Sequence, residues 1–349
     1  MKHQQEHRKL PLGLLFGLLT LLFMLFFVAD LLLGSIIIPA KQIFLAFTGS
    51  AEANETFRTI VLEFRLPKAL TAVFTGAALS LSGLQMQTVF RNPLAGPYVL
   101  GISAGASLGV ALFVLGFSSS LAYGVFSTTS AWSLALVAWA GSFLVMLLVL
   151  YVSARVNDIM TLLILGILFT SAVTAVVSIL QYFSSESMLK AFVIWTMGSL
   201  GSVTKSQLAV LAPAIVAGTV LAFLKTKDLN AFLLGEDYAR SLGVSVKTSR
   251  VVIFLSTSLL AGTITAFCGP IGFIGIAVPH ICRVIFKTAN HLILVPTVLL
   301  TGSIVMLFSD IVSQLPGMQT TLPINSVTAL IGIPVIIWMI VKNRKFVSV

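Results

Sequence analysis

The chain has little charge. Of its 349 residues only 9% are Asp, Glu, Lys or Arg, against 58% hydrophobic, and the mean hydropathy is +1.06. A water-soluble protein of this length keeps about a quarter of its residues charged. A soluble globular fold is therefore excluded, and the chain belongs in lipid. Cysteine is scarce: Cys268 and Cys282 are the only two, both in or at the ends of apolar runs. That is too few for a disulfide scaffold, and membrane-embedded thiols suit them better than a bridge. No Gly-Lys pair occurs, so the chain carries no GxxxxGK[ST] phosphate loop. ATP-driven work would need a separate ATPase. Alternation of apolar and polar residues is missing from stretches such as LLFGLLTLLFMLFFVADLLL, which excludes the strands of a membrane β-barrel.

What is present is a series of apolar runs. A helix needs about 20 apolar residues to cross a bilayer. Runs near that length fall at 12–38, 67–88, 98–116, 131–153, 160–183, 207–225, 250–268, 271–286, 292–309 and 326–341. The expectation is one all-α integral membrane domain over 1–349, with about ten transmembrane helices and a short tail at 1–10. The first run is too long for a signal-peptide core, so it reads as a retained span.

Charge sets the orientation. With the N-terminus in the cytoplasm and ten alternating spans, 15 of the 21 Lys and Arg residues fall on the inside and six on the outside. This matches the positive-inside bias and puts both termini in the cytoplasm. It also accounts for the net charge of +10 without nucleic acid, because the basic residues flank spans and form no aromatic-interleaved patch.

The inside therefore holds the long polar stretch DLNAFLLGEDYARSLGVSVKTSR, 228–250, part of a cytoplasmic loop at 226–249. Asp228 is placed to cap a helix LNAFLL, and Gly235 to stop it in the left-handed conformation. EDYARSL starts with acids, which suit a helix N-terminus, and ends at Gly243. Leu229, Phe232 and Leu233 share one face of the first helix, and Ala239 and Leu242 one face of the second. The pattern fits a groove on a soluble partner or a cap on the chain's own spans.

Several motifs are decoys. HQQEH at 3–7 matches a zinc-protease pattern but sits in a charged tail with no scaffold for a third ligand. GISAG at 101–105 matches a serine-hydrolase elbow but lies in a membrane segment, and the four histidines offer no evident triad partner. Gly101, Gly105 and Gly109 read instead as a stripe for close helix packing. Asn54-Glu55-Thr56 fits a glycosylation sequon and is given no weight. No metal cluster or catalytic residue is assigned. Asp310, just after a span in LFSDIVSQLPG, is placed to cap the following turn, or else to serve as a proton or cation site.

Two regions break the apolar pattern with Gly and Pro: FRNPLAGPYVLGISAGASLG, 90–109, and CGPIGFIGIAVPHICR, 268–283. The spans before them run in opposite directions, as an inverted repeat around a transport path requires. Kinked structural helices are the other reading.

Five blocks carry a resemblance. They are RLPKALTAVFTGAALSLSGLQMQTVFRNPLAGPYVLGISAGA, WTMGSLGSV, LLGEDYARSLGV, GPIGFIGIAVPHICR and LPINSVTALIGIPVIIWMI, in order between residues 65 and 339. Together they are similar to the FecCD-type permeases, the membrane subunits of bacterial ABC importers for iron-siderophores, haem and vitamin B12. The resemblance implies a vitamin B12 permease-like subunit in the bacterial inner membrane. It implies pairing with a second copy, with two cytoplasmic ATP-binding subunits and with an extracytoplasmic substrate-binding protein. ATP and Mg would be bound by the ATPase, and this chain would hold no cofactor. It implies that Leu234, Gly235, Glu236, Arg240, Leu242 and Gly243 form the coupling helices against the ATPase. Arg65 and Lys68 would dock the binding protein. A further outer basic position of relatives is Gln314 here, and Glu63 adds negative charge beside Arg65, which would rearrange that docking. Ile159 and Met160, with Asn92 and Pro93 of the first break, are the gate and path candidates. A secondary transporter or channel driven by an ion gradient is the competing function.

Overall fold

The structure, a computed structural model, describes residues 11–34, 36–50, 54–116, 131–156, 158–314 and 321–342. The tail motif HQQEH lies outside them. The described residues are all-helical, with eight helices long and apolar enough to cross a bilayer. Two shorter apolar helical segments, Ile102–Gly116 and Ile274–Phe286, complete the ten runs expected from the sequence.

The chain opens with α1 (Leu12–Leu32), six residues shorter than the run 12–38, and Leu33 is already extended. A short helix α2 (Ala40–Thr48) follows at the same end. The second span is a continuous rod: α3 (Glu55–Thr59), where Asn54 caps the start through its own side chain, a π turn over Ile60–Arg65, and α4 (Leu66–Val89).

α4 is the hub, buried along nearly its whole length. Its sequence explains this. Without a hydrophobic drive inside lipid, helices associate where small residues let backbones approach. Gly76 faces the carbonyl of Gly302 and Gly83 faces that of Gly275, each so close that a methyl group would collide. Polar residues on α4 are satisfied within the protein: Gln85 donates to Ser256 (2.9 Å) and accepts from Thr257 (2.9 Å).

After α4 the chain runs through turns from Phe90 to Gly101, with Arg91 and Gly101 at positive φ. Helix α5 (Ile102–Ala111) begins only then and continues as a π turn to Gly116, so the expected span 98–116 starts later. The glycine stripe is real at two of its three positions: Gly105 and Gly109 abut the backbone of α6 (Ala131–Arg155) at Gly141 and Val137. Gly101 serves the turn instead, at φ 77°. Then come α7 (Ile159–Phe183), the short α8 (Glu186–Thr196) and α9 (Lys205–Leu224). The polar stretch folds as α10 (Thr226–Phe232) and α11 (Glu236–Ser241), followed by α12 (Val246–Cys268).

The second break, Gly269–Phe273, is non-helical, with Gly269 and Phe273 at positive φ, and leads into α13 (Ile274–Phe286). Last are α14 (His291–Ser313) and α15 (Ile324–Lys342). Asp310 lies inside α14, one turn from its end, because the helix runs four residues past the expected 309. It therefore does not cap the following turn.

The two breaks meet. Tyr98 donates its hydroxyl to the Ile271 carbonyl at 3.0 Å, and Gly275 packs on Pro97. Irregular backbone at membrane depth is tolerated when it is buried in protein, and each break supplies that cover for the other. Both cysteines are buried free thiols.

Candidate functional site

The pair α10–α11 is a compact object, for reasons that differ in part from the sequence expectation. α10 starts at Thr226, so Asp228 sits in its first turn and does not cap it. Its carboxylate accepts from Lys225 (2.8 Å) and from the Ser249 hydroxyl (2.6 Å). Gly235 has φ 107° and ψ 158°, a glycine-only conformation that redirects the chain into α11. It is not the left-handed helix stop expected there. α11 does end at Gly243 as expected. The Gly243 N–H bonds the Arg240 carbonyl (2.9 Å) and the Val244 N–H bonds that of Ala239 (3.0 Å), which is the Schellman pattern with glycine at φ 82°.

The inner faces are as the pattern placed them, except that Leu233 is only half-buried and Leu242 points outward. Leu229, Phe232 and Ala239 are buried and join a cluster with Phe90, Ile253 and Phe254. Three anchors fix the pair to the spans. Glu236 is bonded by the guanidinium of Arg250, whose Nε donates at 2.9 Å and whose side chain is only 2% exposed. Asp228 holds Ser249 on the same first turn of α12. Asn230 accepts from the backbone N–H of His291 (2.8 Å) and pairs with its Nδ1 (2.8 Å), while Nε2 pairs with Thr88 at the end of α4 (2.8 Å). One short helical pair is thus tied to α4, α12 and α14.

Its outer side is apolar and open. Leu234, Tyr238 and Leu242 are each more than half exposed, beside Arg240, which is paired with Asp237 at 2.9 Å. Of the six expected coupling residues, Leu234, Arg240 and Leu242 face outward, Glu236 is turned toward Arg250, and Gly235 and Gly243 shape the backbone. Sequence reasoning missed Arg250, Asn230, His291 and Thr88. Their partners lie 14 to 203 residues away, and no local spacing announces them.

At the opposite end of the bundle, Arg65 and Lys68 are turned into the fold. Arg65 donates to the carbonyls of Leu31 (2.7 Å), Leu32 (2.9 Å) and Ile36, closing the C-terminal end of α1. Lys68 pairs with the buried Asp310 at 2.9 Å. Gln314 donates to the other Asp310 oxygen (3.0 Å). Asp30, 4% exposed, is a second buried acid at this end, in the last turn of α1. Glu63 pairs with Lys205 at 2.5 Å. Lys68 keeps 17% of its side chain exposed and Arg65 is half-buried, so the cluster reaches the surface through its cations.

The gate candidates sit at the end that carries α10–α11. Asp158 caps α7, accepting from the N–H groups of Thr161 (2.9 Å) and Met160 (3.2 Å) and from the Thr161 hydroxyl (2.7 Å). These bonds, the hydroxyl one foremost, hold its carboxyl below the usual carboxylate range. Met160 is 55% exposed, and Ile159 packs on the cluster beneath α10. Asn92 accepts from the Leu94 N–H (2.9 Å) and, with Pro93, shapes the turn after α4. Among the described residues no three His, Cys, Asp or Glu side chains gather to hold a metal ion.

A bundle with two interrupted spans that meet, and a braced helical pair at one end, has the architecture of a membrane transport permease. The chain belongs to the FecCD transport family, whose model matches residues 21–342. It is 33% identical to the hemin transport system permease protein HmuU of Yersinia pestis, over 94% of this chain and 96% of that one. It is 35% identical to the vitamin B12 import system permease protein BtuC of Salmonella paratyphi A, over 82% of this chain and 84% of that one. Among solved structures, an inward-facing metal-chelate type ABC transporter superposes with a TM-score of 0.81 at 31% identity, covering 95% of this chain and 99% of the other.

Proposed function

We propose that the chain is the membrane-spanning subunit of an ATP-driven importer that carries a metal chelate of the iron-siderophore, haem or vitamin B12 class. It works as a pair of copies in a bacterial cytoplasmic membrane, with both termini inside. Two cytoplasmic ATPase subunits bind the ATP and Mg, and an extracytoplasmic binding protein delivers the cargo. The observation that carries this reading is the braced pair α10–α11. It presents Leu234, Tyr238 and Leu242 outward while Arg250, Ser249 and His291 hold its back. A lever must be stiff to transmit displacement, and three separate anchors make it so. Closure of the ATPases would push this surface and shift α4, α12 and α14 together. The residues Ile159, Met160, Asn92 and Pro93 then line the closing end of the path.

Binding-protein docking falls to Lys68 and, behind it, to Arg65, whose guanidinium already holds the end of α1. Because Lys68 already holds Asp310, an incoming carboxylate competes with an internal partner, so docking sets register more than strength. The test is co-purification. Arg240→Glu with Leu242→Asp places two charges against the apolar surface and is expected to abolish ATPase association while the protein stays inserted. Unchanged association removes the assignment. Uptake that needs no ATPase and collapses with the proton gradient would instead establish the secondary-transporter reading.

A further inference from the structure

A cavity of about 380 Å³ opens between α5, α7 and α8. It lies beside the middle of α7, the depth at which transporters hold their cargo. Two hydroxyl ladders line it: Ser103 and Ser107, one turn apart on α5, and Thr170 and Thr174, one turn apart on α7. The two ladders differ in chemistry. Thr170 and Thr174 spend their protons on the carbonyls of Gly166 and Thr170, both at 2.9 Å, and offer only lone pairs. Ser103 and Ser107 donate to no protein group among the described residues, although both are half-buried. Their protons are available to something that enters. Val173 and Phe192 supply apolar wall, and none of the described lining residues is charged. Tyr98, bonded to Ile271 across the two breaks, forms one side, so the cavity adjoins the junction of the interrupted helices.

We propose that this cavity is a contact site for the chelate in transit. Ser103 and Ser107 donate to carbonyl or carboxylate oxygens on the rim of the chelate, and Val173 and Phe192 pack on its apolar framework. The volume is at the small end for ligand pockets, which run about 300–1,000 Å³. It therefore takes one edge of a chelate. Neutral hydroxyls hold a passing cargo weakly, as transit demands: each net hydrogen bond is worth about a fivefold change in occupancy. The proposal rests on the importer reading above.

The test uses the permease reconstituted in vesicles with its ATPase and its binding protein, with hemin, cyanocobalamin and ferrichrome as the probes. For whichever probe the wild type accumulates, Ser103→Ala with Ser107→Ala is expected to cut uptake at sub-saturating concentration roughly 20-fold, two bonds at about fivefold each. ATPase activity stays within twofold. Ser107→Cys supplies a second readout that does not depend on turnover. The two native thiols are buried, so a maleimide reports the introduced one, and the transported probe is expected to slow its labelling at least about fivefold. Uptake unchanged in the double alanine variant, or labelling of S107C that ignores the transported probe, overturns the cavity assignment alone. A wild type that accumulates none of the three with ATP overturns the importer reading, and the cavity's role with it.

Discussion

Replacing Glu236 by Ala isolates the strongest of the three anchors. Arg250 is 2% exposed, and Glu236 reaches it from the first turn of α11. Removing one partner of a fully buried pair costs about 3–5 kcal/mol, because the remaining charge loses that partner's compensation. Glu236 is 21% exposed, so water reaches its side of the pair and the figure falls to about 2 kcal/mol. The cost is local, since α10 keeps its hold through Asp228 and Asn230. It is expected as an opening of α11: 2 kcal/mol is about a 30-fold rise in amide exchange over residues 236–244, with the core of α4 unchanged. Asp237→Ala is the control, because its side chain is 96% exposed and its bond to Arg240 lies in water. Substituting both partners, Glu236→Ala with Arg250→Met, should cost less than Glu236→Ala alone, as no guanidinium then remains buried. Exchange in Glu236→Ala within threefold of wild type refutes the bracing argument.

At the opposite end, Lys68→Ala strands Asp310, whose side chain is 2% exposed, and is expected to destabilise by about 3 kcal/mol. Adding Asp310→Asn should recover most of that loss in detergent thermal melts. Gly83→Val drives a side chain into the Gly275 carbonyl and should cost at least about 3 kcal/mol, read as loss of a monodisperse peak. Gly13→Ala, with nothing within 4 Å of the new methyl, should stay within about 0.5 kcal/mol of wild type. The cap of α7 gives a pH dependence. The Asp158 carboxyl is lowered in the folded state, so its contribution is present above the unfolded value near ~4 and is lost as pH falls through the folded value. The difference in α7 stability between wild type and Asp158→Ala should therefore be present at neutral pH and vanish in strong acid.

The spans were legible because lipid imposes length and hydropathy on each one separately, and each of the ten runs falls on one of the eight long helices or the two shorter apolar ones. Their ends were less so. Asp310 read as a residue beyond a span, yet α14 carries it inward, because Lys68 and Gln314 satisfy a charge that hydropathy counts as a stop. The stop at Gly243 was readable from local chemistry. The role of Asp228 was not, since an acid near a helix start looks the same whether it caps backbone or grips Ser249. Arg65 was placed at the docking face by the resemblance alone, which says nothing of its packing. Here the unpaired carbonyls at the end of α1 recruit it, a demand invisible until α1 and α4 are placed side by side.

The mutual cover of the two interrupted segments has a consequence for how the protein is made. Residues 90–101 find part of their backing in residues 269–276, which leave the ribosome more than 160 positions later. Until then bare peptide groups have no place in hydrocarbon. The cover is complete only when both halves of the chain are in place, so the first break matures with the second.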